Sequence, residues 1–153
     1  MTTSMADGTT IRLAGPSDVP GLSRLRREWT AEDIGARNDP DFEARFAAWY
    51  EKADRLTWIA ESGEHAVGML NMAVFDRMPR PGQPDSHWGY VANVFVLGEF
   101  RDRGIGAGLL AAAVGYADQH GFARLVLRPA KRAVPFYQRA GFTLENDLML
   151  RED

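Results

Sequence analysis

The sequence predicts a mixed α/β fold, and three observations support this prediction. Strand-like and helix-like segments follow one another in the order β-αα-βββ-α-β-α-ββ. A glycine-rich turn separates a buried strand from a small, apolar helix. The 153 residues, 45% of them hydrophobic and 25% charged, are sufficient for one domain with a buried core. We therefore expect a single domain over residues 1–153, with a loose terminus at 1–9.

The first elements are a short strand and two helices. Alternation predicts the strand at Ile11–Leu13, and Ser17 is a plausible N-cap for the first helix. Asp39 as cap and Pro40 as first helical residue signal the second helix. Acidic residues at the end of the first helix fit either a solvated face or an amine-binding wall: Glu28, Glu32 and Asp33.

Two further strands and a long loop follow. The strands are predicted at Leu56–Glu61 and Ala66–Phe75, joined by a hairpin turn at Ser62-Gly63-Glu64. Gly68 within the second strand indicates a bulge or a close backbone approach. The loop Arg77–His87 contains three prolines, and a loop of that length is often functional.

The second half of the chain alternates strands with helices. We expect a buried strand at Val91–Val96, a helix ending near His120, a strand at Ala123–Leu127, a short helix through about Ala140, and final strands at Phe142–Leu144 and Leu148–Leu150 around Glu145-Asn146-Asp147.

The turn between the Val91–Val96 strand and the next helix reads Arg101-Asp102-Arg103-Gly104-Ile105-Gly106. Glycines leave the backbone open to a ligand, and free N–H groups at a helix start bind phosphate. No Lys followed by Ser or Thr comes after the glycines, so a Walker A loop is disfavoured. A dinucleotide fingerprint needs a third glycine where Leu109 stands. The two glycines alone fit a ligand site and a tight, closely packed turn equally well.

The longer pattern resembles the acyl-CoA-binding motif of the GNAT superfamily of N-acetyltransferases, Arg/Gln-x-x-Gly-x-Gly/Ala, which here is Arg101-x-x-Gly104-x-Gly106. A second match, Ala133–Phe142, looks like the family's later motif, a short helix that carries a Tyr and ends in Gly-Phe. The resemblance implies a central, mixed but mostly antiparallel sheet of about six or seven strands, with splayed central strands and about four flanking helices.

The resemblance also implies how acetyl-CoA is held. The pyrophosphate is expected on the turn's backbone N–H groups, and the pantetheine arm is expected along the main chain of the central strand. The expected cofactor-binding residues are Val94, Phe95, Val96, Arg101, Asp102, Arg103, Gly104, Ile105, Gly106 and Ala107. Tyr137, the tyrosine of the second motif, is the expected general acid for the leaving thiolate.

The chain departs from the family pattern at two places. Ala130 stands where many members carry an Asn that contacts the pantetheine arm, and Trp88–Val96 contains no acid or histidine to serve as general base. His87 and Asp85 are the nearest ionisable candidates for relaying a proton through water. In the resembling family the loop before the central strand borders the acceptor, so Arg77–His87 is either a substrate-side flap or an idle surface loop.

These observations predict an N-acetyltransferase that moves an acetyl group from acetyl-CoA to a primary amine of a small molecule or peptide. A catalytically silent acyl-CoA sensor and a nucleotide-binding module are the alternatives. With no cysteine, a net charge of −3 and no apolar run near ~20 residues, we expect no metal cofactor, no nucleic acid and no membrane partner. We expect a cytoplasmic protein, and short terminal strands are compatible with a homodimer.

Overall fold

The computed structural model describes residues 1–52, 54–145 and 147–153, in which six strands form one sheet with helices on both faces. The strands are β1 Thr3–Ser4, β2 Thr10–Leu13, β3 Arg55–Ser62, β4 His65–Asp76, β5 His87–Val96 and β6 Leu125–Val126. The helices are α1 Val19–Ile34, α2 Phe42–Lys52, α3 Ile105–Gln119 and α4 Val134–Arg139. None of the described helices is both long and apolar enough to span a bilayer.

The sheet is mixed, as the sequence predicts. Strands β1 to β5 pair with their chain neighbours in antiparallel order. A tight hairpin joins β3 to β4, whereas α1 and α2 lie between β2 and β3. Strand β6 pairs with β5 in parallel, since α3 carries the chain back along the sheet between them.

Each face of the sheet has its own apolar core. On one face, α3 packs through Leu109, Leu110 and Ala113. On the other face, α1 packs through Leu22 and Leu25. The sheet contributes both sets by alternation: Trp58, Leu70, Met72 and Val91 face α3, and Ile59, Met69 and Phe95 face α1.

Gly68 lies at a bulge and at a close backbone approach, the two alternatives that the sequence offered for a glycine within a strand. The register of β3 and β4 shifts beside it, because Ala60 pairs with Gly68 and Glu61 pairs with Ala66. A Cβ at Gly68 would lie 3.2 Å from Leu109 Cδ1 and 3.3 Å from the Phe95 carbonyl oxygen. A helix and a strand thus approach this backbone closely.

The first third of the chain departs from the predicted boundaries at α2. Residues 1–9 include β1, which pairs with β2, and the Thr9 N–H donates to Asp7 Oδ1 across 2.9 Å. Helix α2 begins at Phe42, and Pro40 lies in the turn before it. The Phe42 N–H donates to the Asp39 carbonyl in that turn, so helical bonding starts later than the cap signals suggest.

The end of the chain also differs from prediction. Strand β6 covers two residues of the predicted Ala123–Leu127, and in the described residues 142–145 and 147–153 no strand forms. A strand needs a neighbour to satisfy its backbone, and the two-residue β6 offers almost no edge. Asn146, in the predicted turn, lies outside the described residues.

Candidate active site

The turn before α3 presents a row of free backbone donors. Gly104 is the N-cap of α3 and has a φ of 81°, a left-handed conformation that glycine adopts without strain. Asp102 has a φ of 61°. None of the backbone N–H groups from Asp102 to Ala107 has an acceptor within the described parts of the chain. Such a concave row at a helix start favours an anionic ligand.

Three glycines near the start of α3 are required for different reasons. Gly104 supplies its positive φ, and Gly108 supplies space, since a Cβ there would lie 2.6 Å from Ile11 Cδ1. A Cβ at Gly106 would meet only ordinary contacts, 3.6 Å to Phe136 Cζ and 4.0 Å to Val96 Cγ2. Packing within the protein therefore does not require glycine at position 106. The space beside its Cα is available to a ligand.

Arg101, the first residue of the turn motif, is engaged with the protein. Its Nη2 lies 2.7 Å from Glu32 Oε1 at the end of α1, and its Nε donates to the Val96 carbonyl across 3.0 Å. Its guanidinium carbon lies 5.6 Å from the centre of the Phe95 ring. Arg101 thus joins α1, β5 and the turn, and Glu32, whose role the sequence left open, is its partner.

Strands β5 and β6 separate soon after they meet. They pair only at Gly89 with Leu125 and at Tyr90 with Val126. Beyond Tyr90, no described strand pairs with this side of β5. The main chain of Val94–Val96 therefore borders an open edge to which an extended ligand can add.

The side chains of Val94–Val96 are engaged in packing. Val94 and Val96 pack against the α3 core, and the Phe95 ring stacks on Trp29 at 5.4 Å. Any ligand contact from this segment is left to the backbone, as the sequence predicts.

A bulge interrupts β5 at Asn93. Ala92 pairs with Asn71 while Phe95 pairs with Met69, which leaves an extra residue in β5. Asn93 has a φ of 56°, and its exposed side chain accepts a hydrogen bond from Asn71 Nδ2 across 3.2 Å. Sequence reasoning missed this bulge, although Asn is the residue type enriched in left-handed conformations.

Tyr137 lies on α4, which packs beside the turn. Its neighbour Phe136 is the side chain closest to the Cβ position of Gly106, so the two sequence motifs meet in space. The Tyr137 ring packs edge-on against Phe136 at 5.0 Å and Phe142 at 6.1 Å. Burial raises the pKa of the Tyr137 phenol above its ordinary value. The hydroxyl is therefore protonated at neutral pH and able to donate.

His87 and Asp85 lie far from this turn. His87 is the first residue of β5, and its Nδ1 lies 2.7 Å from Asp76 Oδ1. At ~3.3 Å per residue, His87 is roughly 20 Å along the strand from Asn93. Asp85 lines a cleft of about 460 Å³ within the loop of residues 77–86. This loop, for which the sequence left open a substrate-side flap or an idle surface loop, thus lies at the opposite end of β5 from the turn.

Comparison with known proteins decides the family. A model of the acetyltransferase (GNAT) family matches residues 22–142, which is most of the chain. The chain belongs to the GNAT acetyltransferase family. It is therefore an acyltransferase, and the family it belongs to uses acetyl-CoA as donor.

Solved structures support the GNAT fold. A predicted acetyltransferase from Clostridium acetobutylicum, solved with acetyl-CoA, is 21% identical with a TM-score of 0.75, over 94% of this chain and 96% of that chain. A GCN5-related N-acetyltransferase from Ralstonia eutropha is 23% identical with a TM-score of 0.70, over 95% and 99%. Glucosamine-6-phosphate N-acetyltransferase from Arabidopsis thaliana is 16% identical with a TM-score of 0.71, over 94% and 97%.

The GNAT match covers both parts of the candidate site. The turn of residues 102–107 and helix α4 with Tyr137 lie inside residues 22–142. Ala130 precedes α4 as the N-cap of a short 3-10 turn, and its methyl group offers no hydrogen bond.

Proposed function

We propose that the protein transfers the acetyl group of acetyl-CoA to a primary amine by direct attack within a ternary complex. The observation that carries this proposal is the row of free N–H groups from Asp102 to Ala107, with a glycine at 106 that packing does not require. Both features fit a pyrophosphate, which needs many donors and close approach to the backbone.

The donor is held mainly by main-chain atoms. The pyrophosphate accepts from the N–H groups of the turn, where the dipole of α3 adds favourable potential. The pantetheine arm extends along the open edge of β5 at Val94–Val96 and completes it like an added strand. Arg101 is engaged with Glu32, and its contribution is to position the turn.

Acetyl transfer needs one bond formed and one bond broken. The nitrogen lone pair of the neutral amine attacks the thioester carbonyl carbon, and a backbone N–H near Val94 stabilises the oxyanion. Collapse breaks the carbon–sulfur bond, and the Tyr137 hydroxyl gives its proton to the thiolate. The nitrogen loses a proton to water and the phenol regains one, so the products are an amide and free CoA.

We assign no general base close to the reacting atoms. His87 and Asp85 are the sequence candidates, and their place at the far end of β5 argues against direct proton abstraction. We expect the rate to follow the fraction of the amine that is unprotonated in solution. The acceptor is a small-molecule or peptide amine.

Two measurements on one pair of variants test the proposal. Calorimetric titration compares acetyl-CoA, CoA and ATP, and a turnover assay with pooled primary amines detects free thiol. We expect acetyl-CoA to bind in the micromolar range and Gly106→Val to weaken binding at least about 100-fold, since its side chain takes the phosphate's place. Gly115→Val is the matched control, because a Cβ at Gly115 in the same helix meets nothing within 4 Å.

The outcomes separate the hypotheses. Equal affinity in Gly106→Val and Gly115→Val would exclude the turn as the phosphate site. Binding of acetyl-CoA without turnover of any amine would leave a silent acyl-CoA sensor. Tighter binding of ATP than of acetyl-CoA would point to a nucleotide-binding module.

A further inference from the structure

Three polar side chains on β3, β4 and β5 form a row of hydrogen bonds across the sheet. Thr57 on β3 and Asn71 on β4 are 4% and 6% exposed, although they lie opposite each other within an apolar core face. The Thr57 hydroxyl donates to Asn71 Oδ1 across 2.5 Å. Asn71 Nδ2 donates in turn to Asn93 Oδ1 across 3.2 Å. Two buried residues thus orient one exposed amide.

The direction of the hydrogen bonds determines what Asn93 offers. Its Oδ1 is occupied by Asn71, and its Nδ2 has no acceptor within residues 1–52, 54–145 and 147–153. The amide therefore presents its two N–H donors to the solvent side, while its oxygen is directed at Asn71. An amide nitrogen cannot take a proton from an ammonium group, so Asn93 does not serve as a base.

The position of Asn93 places these donors beside the expected reaction centre. Asn93 precedes Val94 at the bulge, where β5 has no partner on one side. One residue of strand spans ~3.3 Å, so the amide lies within reach of a molecule that attacks at Val94. A donor aimed at the attacking nitrogen would hold its lone pair and oppose reaction. The amide is therefore suited to a second group of the acceptor.

We propose that Asn93 selects acceptors in which an oxygen atom lies two or three bonds from the amine-bearing carbon. Amino alcohols, amino amides and amino acids have this arrangement. The Asn93 Nδ2 donates to that oxygen and so orients the amine toward the thioester. This inference rests on the proposed acetyl transfer and narrows its substrate class. Alkylamines and diamines lack the oxygen and are poorer acceptors.

The test uses pairs of amines of nearly equal shape, with free thiol as the readout. Ethanolamine is compared with propylamine and glycinamide with isobutylamine, each corrected for its unprotonated fraction. For wild type we expect kcat/KM to favour the oxygen-bearing member about tenfold, a typical net effect of one hydrogen bond. The preference should appear in the KM of the amine, with the affinity for acetyl-CoA unchanged.

Two variants at Asn93 replace the amide with side chains that tolerate the positive φ of this residue. Asn93→Gly keeps the positive φ and removes the donors, so the preference should fall to about one. Asn93→Asp keeps an oxygen for Asn71 and replaces the outward donors with a carboxylate, so it should favour ethylenediamine over ethanolamine. Thermal unfolding and acetyl-CoA titration verify that both variants are folded and bind the donor.

Each outcome bears on a different claim. If wild type acetylates both members of each pair equally, or if Asn93→Gly keeps the wild-type preference, the inference is wrong and acetyl transfer stands. If wild type acetylates no amine of the panel although it binds acetyl-CoA, the proposed function fails and the inference fails with it.

Discussion

Packing keeps Tyr137, the proposed proton donor, in its protonated form. Its ring lies between Phe136 and Phe142, and burial raises the pKa of its phenol above the ordinary value of ~10. A raised pKa keeps the donating form populated through the whole neutral and mildly alkaline range. A thiol with a pKa near ~8.5 leaves as a thiolate that this phenol can protonate.

Replacing the phenol tests its role as proton donor. Tyr137→Phe should lower kcat roughly 100-fold, the usual scale of general acid catalysis, while the affinity for acetyl-CoA changes little. Tyr116→Phe is the matched control, since Tyr116 packs on Trp58 and His120 in α3. Wild-type turnover in Tyr137→Phe would reduce Tyr137 to a packing role.

Candidate site residues that belong to short sequence motifs could be predicted from the sequence. Residues that meet only because two strands pair could not. Gly104, Gly106 and Tyr137 sit in short contiguous motifs that resemble those of GNAT proteins, so they could be named as candidates from the sequence. The hydrogen bond of Asn71 to Asn93 joins positions 22 residues apart, and it depends on a register shift that no local pattern reports. No local pattern in the sequence connects Asn93 with Asn71 or Thr57.

The pairing of β5 with β6 depends on one glycine, Gly89, which gives a prediction for these strands. A Cβ at Gly89 would lie 2.6 Å from Met72 Sδ and 2.8 Å from Leu125 Cδ2. Gly89→Ala should therefore force β6 outward and reduce the free energy of unfolding by about 1–3 kcal/mol. Urea denaturation measures this loss.

The control for Gly89 is a glycine with free space. Gly115→Ala adds the same methyl group where nothing lies within 4 Å, and helix propensity favours alanine by up to ~1 kcal/mol. Equal stability of Gly89→Ala and wild type would mean that β6 accommodates the methyl group without strain.

The start of α1 depends on a charged residue. Asp18 accepts hydrogen bonds from Arg12 at 2.8 and 2.9 Å and from the Gly15 N–H at 2.8 Å. The hydrogen bond from Arg12, followed by that from Gly15, lowers the pKa of the Asp18 carboxyl below its usual range. Asp18→Asn should cost about 1–3 kcal/mol of stability near pH 7, whereas Asp33→Asn at the exposed end of α1 should cost little.

The pH dependence of this cost has a fixed sign. Because the folded-state pKa lies below the unfolded value of ~3.9, the charged Asp18 stabilises the fold above that value. The stabilisation disappears as the pH falls through the lowered folded-state pKa. Unfolding curves of wild type and Asp18→Asn should therefore converge in strong acid, and a constant difference down to pH 2 would contradict the assignment.

Element lengths show where sequence reasoning reaches its limit. Apolar periodicity located β3, β4 and the end of α3 within one residue, because each buries a regular set of side chains. Strand β5 begins at His87, four residues before the predicted Val91. The segments 142–144 and 148–150 have strand composition, and Leu148 and Leu150 remain 82% and 68% exposed. Composition alone does not supply a pairing partner, and β6 is too short to be one.

For the molecule as a whole, donor binding should raise thermal stability. A ligand at 100 times its dissociation constant stabilises the folded state by about 2.7 kcal/mol. For a chain of this size, that corresponds to a rise in Tm of roughly 5–10 °C. Thermal unfolding with acetyl-CoA should show this rise for wild type and Gly115→Val, and no rise for Gly106→Val. A rise in Tm with ATP and none with acetyl-CoA would contradict the proposal.

In the proposed function, the turn from Asp102 to Ala107 holds its ligand by backbone N–H groups. Every amino acid except proline contributes the same backbone N–H, so most substitutions at the exposed Arg103 and Ala107 should leave donor binding intact. A saturation mutagenesis map of this segment should show loss of function for proline throughout and for branched residues at Gly104 and Gly106. The exposed side chains of Arg103 and Ala107 can therefore change in charge and shape while donor binding is kept.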